Sequence, residues 1–312
     1  MDLAVGYSGA LSATDAVAPA EGRAFEHRRE LSAAPPVAPD LSAAWTVLRA
    51  RQWAHFVLVP AIPLTALVLR DPLAAARAYL PAAAAASLCL GYAYGLNAIA
   101  DRHDDVRPSK NPLVRVKRVP LAVKTAVAAC AIVALSFAGI TPHIRLFPVI
   151  VSIFWASLYS VGPRLKRLPL LSTAINCGIF APLAFLIRDR LQAPDFGLLT
   201  LTFVTVQTQA QLIHEVADRD EDLHASVRST AVAWGGPTTL RAATWLGLGV
   251  GAALLLAGTW TATRLLAVVT VSAAAAVLHG GLPANASVLR RRHRRLALFL
   301  GSILFLAAAL GS

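Results

Sequence analysis

PAAAAASLCLGYAYGLNAIADRHDD, residues 81–105, joins two kinds of sequence that ordinarily stay apart. Residues 81–100 hold no charged side chain, and then Asp101, Asp104 and Asp105 follow within five positions. An uncharged run of about 20 residues is what a helix needs to cross a bilayer. Carboxylates at the end of such a run are costly to insert, about 2.5 to 3.5 kcal/mol each near the bilayer centre. Acids in that position imply partners or a task.

The rest of the chain repeats the apolar half of this pattern. Its 312 residues have a mean hydropathy of +0.59 and 15% charged residues, well below the roughly 25% of soluble domains. Nine apolar segments can be marked, at residues 53–69, 81–100, 119–140, 146–161, 169–187, 196–217, 240–258, 265–279 and 296–310. None shows the short alternating pattern of membrane β-barrels. The expected fold is all-α, a polytopic membrane bundle of about nine transmembrane helices around a central cavity. Residues 1–44, rich in Ala, Pro and mixed charge, are expected to form a disordered cytoplasmic tail. They lack the basic and apolar regions of a signal peptide. Residues 45–312 form the membrane domain.

A net charge of +12 suggests nucleic acid at first sight, but its placement argues for membrane orientation. With the N-terminus inside, the cytoplasmic loops hold Arg102, Arg107, Lys110, Arg115, Lys117 and Arg118, then Arg164, Lys166 and Arg167, then Arg219 and Arg228, then the run RRRHRR at 290–295. Arg70, Arg77, Arg145, Arg188, Arg190 and Arg264 fall on the opposite side. That bias sets the orientation, N-terminus in and C-terminus out. The RRRHRR run reads as an anchor to anionic lipid, and no nucleic-acid partner is expected. The Ala- and Arg-rich composition suggests a bacterial plasma membrane. Cys89, Cys130 and Cys177 lie in apolar runs without CxxC spacing and read as small buried hydrophobes.

The acids recur. Asn97, Asp101 and Asp105 are spaced i, i+4, i+8; Asp218 and Asp222 repeat i, i+4 at the end of the sixth segment, one turn after Glu215. Both groups fall on the inferred cytoplasmic face. Carboxylates converging from two segments would repel one another unless cations intervene. Mg²⁺ prefers oxygen ligands and is commonly held by one or two carboxylates plus substrate phosphate oxygens, so the two clusters make a seat for a Mg²⁺-bound diphosphate.

At this point the sequence resembles the UbiA superfamily of intramembrane prenyltransferases. The family's NDxxDxxxD motif is matched by NAIADRHDD (97–105), its Tyr-to-Lys motif by YSVGPRLK (159–166), and its DxxxD motif by DRDED (218–222). The resemblance spans about residues 45–310. It implies Mg²⁺-dependent ionisation of an isoprenyl diphosphate donor and prenyl transfer to a hydrophobic acceptor, whether aromatic, quinone precursor or lipid-like. By motif match, Asn97, Asp101, Asp105, Asp218 and Asp222 would hold metal, and Asp101, Asp218, Tyr159 and Lys166 would carry catalysis. Ala98 stands where the family has Asp, so one first-motif carboxylate is missing; Asp104 is an extra acid at a different helical phase.

A departing diphosphate is stabilised by positive charge aimed at it. Arg164 and Lys166 lead the candidates, followed by Arg102, Lys110 and Arg228. Arg49 or Arg51, in LRARQW, would enter the same site from the first segment, with Trp53 as an interfacial anchor. His214 and Glu215 lie at membrane depth; either Glu215 orients the acceptor or takes its proton, or His214 bonds a neighbouring helix and Glu215 supports an Arg or metal from behind. Tyr92, Tyr94, Phe154, Trp155, Phe180 and Phe185 offer π-faces to a carbocation. Two other readings compete: a terpene cyclase on the same scaffold, in which the cation is captured by its own chain, and a cation transporter. Transporters place charge near the midplane on broken helices, whereas these acids stand at segment ends.

Overall fold

The computed structural model describes residues 46–105, 110–114, 116–162, 164–188, 195–257, 261–279 and 286–311. The expected tail, and Arg107, Arg115 and Arg190, lie outside these residues. The described residues form helices joined by loops, with one isolated antiparallel bridge between Ile144 and Ile187. Its elements are α1 (Ala50–Trp53), a 3₁₀ stretch (Ala54–Leu64), α2 (Thr65–Val68), α3 (Pro72–Ala100), α4 (Leu121–Ile140), α5 (Leu146–Ser160) and α6 (Leu171–Phe180). A 3₁₀ turn (Ala181–Phe185) extends α6, and α7 (Phe196–His224), α8 (Thr230–Trp234), α9 (Gly236–Leu256), α10 (Ala262–His279) and α11 (Ala286–Gly311) complete the chain.

Five of these helices, α3, α4, α7, α9 and α11, are long and apolar enough to cross a membrane. Shorter apolar rods occupy 146–160, 171–185 and 262–278. The first apolar segment differs from a regular span. Pro60 and Pro63 lie inside it, and each removes a backbone donor and crowds the preceding turn, so the chain winds as 3₁₀ between two single α-turns. Pro72 opens α3 at its first turn, where a missing N–H costs nothing, and Asp71 accepts a capping bond from the Ala74 amide at 2.9 Å. The helix therefore begins nine residues earlier than the uncharged run and carries Pro81 in its interior.

The bundle is apolar outside as well as inside. Leu121, Ile140, Phe147, Trp245 and Leu256 are among many large side chains exposed on the outer surface, which a soluble monomer would not tolerate and a bilayer requires. The protein is an integral membrane protein.

Interior positions go to small residues and to the one helix too polar to face lipid. Ala82, Ala85, Ala86 and Cys89 of α3 are fully buried, and a Cβ on Gly95 would come within 2.5 Å of Val127 on α4. Helix α7, TFVTVQTQAQLIHEVADRDED at its core, packs on α6, α8, α9, α10 and α11. Thr202, Thr205 and Thr208 return their hydroxyls to carbonyls one turn back, and Gln209 donates to the Ala243 carbonyl of α9 at 3.1 Å. Each polar group on this helix that lies inside the bundle needs such a partner, which fixes α7 at the centre. Its acidic last turns then lie beside the end of α3.

Candidate active site

A cavity of about 840 Å³ runs through the bundle between the first segment, α3, α6, α7 and α11. Its wall carries Phe56, Tyr94, Phe180 and Phe203 as one aromatic group; the Phe56 and Phe180 rings lie 4.2 Å apart, and Tyr94 meets Phe180 edge-on at 6.5 Å. At one end the cavity adjoins a smaller polar chamber of about 90 Å³. Asn97, Lys110, Tyr159, Gln211, His214 and Asp218 line both spaces. A long apolar volume thus ends in a charged recess.

The recess is where the two acidic motifs meet. Helix α3 stops at Ala100, and the chain tightens into one more turn, in which the Asp104 and Asp105 amides both donate to the Asp101 carbonyl at 3.0 and 2.8 Å. Because this turn is not a continuation of the helix, the phase difference assigned to Asp104 does not hold: Asp104 lines the chamber together with Asp101 and Asp105. From α7 come Asp218, Glu221 and Asp222. Lys110 ties the two sources together, with Nζ at 3.2 Å from Asp105, 2.7 Å from Asp218 and 3.0 Å from Glu221. Asn111 holds the turn in place, donating to Asp105 at 3.0 Å and to the Ala98 carbonyl at 2.9 Å.

A second cationic group sits on Asp101. Arg164 reaches Asp101 at 2.9 Å and Asp104 at 2.6 Å, Lys166 pairs with Asp101, and Arg167 reaches Asp104 at 3.2 Å. These come from the α5–α6 connection, where Arg164 adopts a left-handed conformation (φ 47°) that turns the following 3₁₀ turn onto the acids. Burial pushes the Asp104 carboxyl upward, but the hydrogen bonds and charge of Arg164, with Arg167 and Lys166, hold it below its usual value. Lys110 is likewise moved above its ordinary value: burial acts downward and is outweighed by Asp218, Asp105 and Glu221.

The donor set suits a hard cation. Seven carboxylates (Asp101, Asp104, Asp105, Glu215, Asp218, Glu221, Asp222) line the chamber, and among the described residues four cations (Lys110, Arg164, Lys166, Arg167) are bonded to some of them, which leaves carboxylates in excess. Among the described residues no three Asp, Glu, His or Cys side chains are grouped closely enough to close a metal site alone. That is compatible with Mg²⁺, which keeps waters and borrows ligands from phosphate.

The model of the UbiA prenyltransferase family matches residues 57–308. The chain belongs to that family. Solved structures share the fold. A UbiA homolog from Archaeoglobus fulgidus bound to DMAPP and Mg²⁺ superposes with a TM-score of 0.65 at 16% identity, covering 85% of this chain and 98% of that one. The same homolog bound to GPP and Mg²⁺ gives 0.65 at 14% identity, covering 85% and 99%. A digeranylgeranylglyceryl phosphate synthase gives 0.62 at 16% identity, covering 87% and 99%. No curated protein sequence matches the chain.

In this UbiA-family chain not every residue singled out in the sequence reaches the site. Arg49 does: it lines the cavity, its guanidinium lies 5.9 Å from the Tyr94 ring centre, and its buried Nε has no hydrogen-bond partner. Arg51, two residues on, is exposed and off the cavity wall, because α1 turns it outward. Arg102 donates to the Ile99 carbonyl at 3.0 Å, and Arg228 is exposed; neither lines the chamber. Glu215 is buried and accepts from Ser172 (2.7 Å), Thr173 (3.0 Å), Gln211 (3.4 Å) and the Thr230 amide (2.8 Å). These donors make it a knot joining α6, α7 and α8, and it also lines the polar chamber. His214 stands 3.5 Å from Asp218 on the shared wall. Phe154 is exposed, Trp155 packs against Gly178, Tyr92 pairs with Ser157 and Phe185 with Phe196; none of these four lines the cavity.

Three features escaped the sequence reading. Glu221 joins the acid cluster, and Phe56 and Phe203 complete the aromatic wall. The third is larger. The RRRHRR run is not a loop, because α11 begins at Ala286 and contains it; Arg290, Arg291 and Arg294 line the cavity, and His293 is buried, 3.4 Å from Gln209. Its i, i+4 spacing was the available signal.

Proposed function

We propose that this protein is a Mg²⁺-dependent intramembrane prenyltransferase that ionises an isoprenyl diphosphate and transfers the prenyl group to a hydrophobic acceptor. The observation that carries this reading is the junction at Lys110, where carboxylates from α7 and from the turn after α3 meet at the end of an apolar cavity. That is the arrangement a molecule with a diphosphate head and a hydrocarbon tail requires. Similarity to family structures bound to DMAPP or GPP with Mg²⁺ supports the donor class.

Asn97, Asp101, Asp105, Asp218 and Asp222 are the proposed metal-holding residues. Bound there, Mg²⁺ would neutralise diphosphate oxygens against the carboxylates. Lys166 and Arg164, held on Asp101, stand ready to receive negative charge as the C–O bond breaks and the electron pair leaves with the diphosphate. Lys110 has the same capacity on the other side. Tyr159 is proposed to act beside the breaking bond, which its position on the wall shared by both spaces supports. The aromatic group of Phe56, Tyr94, Phe180 and Phe203 presents π-faces that stabilise an allylic cation without reacting with it. The acceptor's carbon or oxygen then bonds to that cation and gives up a proton. The charge bias of the loops supports an N-terminus and active site on the cytoplasmic face, and composition supports a bacterial plasma membrane.

The test is turnover by purified protein with Mg²⁺ and C10, C15 or C20 diphosphates, with and without hydrophobic acceptors. Pyrophosphate release that needs an acceptor is expected. Hydrocarbon or alcohol released without one would identify a cyclase, and no turnover with any donor would return the cation-transport reading. Asp101→Ala and Asp218→Ala should each lower turnover by ~10²-fold or more while the protein stays folded in detergent. Full activity in either would remove that residue from the mechanism.

A further inference from the structure

The basic end of α11 has no use in the chemistry just described. Arg290, Arg291 and Arg294 are exposed at the cavity wall, and among the described residues none of them makes a direct ion pair, although the charge of Arg290 acts on Asp218 from a distance. Arg294 meets the ring of His55, on the first segment, at 3.0 Å across the mouth. In the neighbouring chamber Asp101, Asp104, Asp105, Asp218 and Glu221 already have cations from other elements. Like charges brought together without direct ion pairs repel, and they persist at a cavity mouth where an anion is received.

What lies beyond them gives the shape of that anion. Along α11 the same lining face continues through Ala297 and Leu298, then Gly301, then Phe305, at steps of about one turn. The facing wall shows the same gradient, from Arg49, Gln52 and His55 to Phe56, Val59 and Ile62. Positive charge at one end and hydrocarbon along the length, on two opposed walls, match an amphiphile lying between them. α11 also packs on α2, which follows the apolar part of the first segment.

We infer that the slot between the first segment and α11 binds an anionic amphiphile as the acceptor, its phosphate or carboxylate head held by Arg290, Arg291 and Arg294 and its tail lying along the apolar face. This rests on the prenyl-transfer reading for the word acceptor, though the anion site itself does not. A head fixed at the mouth would leave the nucleophile of the same molecule within the cavity that the allylic cation enters. A bulk anionic phospholipid offers the same headgroup chemistry, and the experiment separates the two.

The full chain, in nanodiscs of phosphatidylcholine and without isoprenyl diphosphate, would be titrated with a lysophosphatidic acid and with the uncharged monoacylglycerol of the same chain. Wild type should bind the phosphate at least tenfold more tightly. The Arg291→Gln/Arg294→Gln double variant should lose that preference, while its affinity for Mg²⁺ with geranyl thiodiphosphate changes less than threefold. Equal affinity for the two amphiphiles, or an unchanged preference in the double variant, would overturn the proposal. Repeating the titration in discs with phosphatidylglycerol distinguishes the source: a retained preference supports an acceptor site, and its disappearance assigns the arginines to bulk lipid and overturns the acceptor role. Because the donor analogue is measured separately, failure of donor binding would count against prenyl transfer and not against this slot.

Discussion

Among the described residues Lys110 bridges the two acidic motifs directly. It is about a quarter exposed, and three carboxylates from two elements converge on it. Replacing it with Met leaves Asp105, Asp218 and Glu221 facing one another, at a cost of about 1 to 3 kcal/mol. Lys110→Met should therefore melt several degrees below wild type in EDTA, and millimolar Mg²⁺ should recover most of the loss; a melting point indifferent to Mg²⁺ would mean that these acids do not take the ion. Asp104 makes a pH prediction. Its carboxyl is held below the ordinary value of about 3.9 by Arg164 and Arg167 against the upward push of burial. A lowered carboxyl stabilises the fold above its unfolded-state value and stops doing so as pH falls through the folded-state value. Acidifying from pH 5 to pH 3 should then lower the melting temperature of wild type more than that of Asp104→Asn. Equal slopes would show that this ion pair adds nothing to stability.

Helix packing has its own sensitive points, and they are glycines at crossings. A Cβ on Gly247 of α9 would lie 2.3 Å from the Gln209 amide nitrogen and 2.8 Å from the Val271 carbonyl of α10. The glutamine can swing away, though it then drops its bond to the Ala243 carbonyl; the backbone oxygen cannot move. Gly247→Ala should destabilise the protein by about 1 to 3 kcal/mol, read as a lower melting temperature and an earlier loss of the monodisperse peak on gel filtration. Gly249, two residues on, has nothing near its Cβ position, so Gly249→Ala should be silent in the same assays. A silent Gly247→Ala would show that α9 and α10 stand further apart than described.

For the molecule as a whole, the outer surface and the charge bias make a topology that labelling can check. Arg228 follows α7 and Thr261 precedes α10, at opposite ends of α9, and both are exposed. In intact cells a membrane-impermeant maleimide should label Thr261→Cys and leave Arg228→Cys untouched until the cells are opened. Labelling in the reverse pattern would put the acidic chamber on the outer face. Cys89 is buried, and Cys130 and Cys177 are only partly exposed, so background reaction should be low.

Which parts of this were legible in the linear chain follows from the range of the forces involved. Apolar runs longer than a bilayer is thick, acids at matched spacing near the ends of two of them, and basic residues crowded into alternate loops are local or periodic properties. They determined an all-helical membrane bundle and singled out Asp101, Asp105, Asp218 and Lys166. Tertiary structure decided the rest, because it depends on which faces meet. Arg49 lines the cavity and Arg51 does not, though they sit two residues apart. Asp104 joined the site once α3 ended in a tight turn. Glu215 was taken up by four donors, three of them from beyond its own helix. The arginines of α11 became a cavity wall because the helix starts before them, and a charged run carries no mark of whether it faces water, lipid or an interior space.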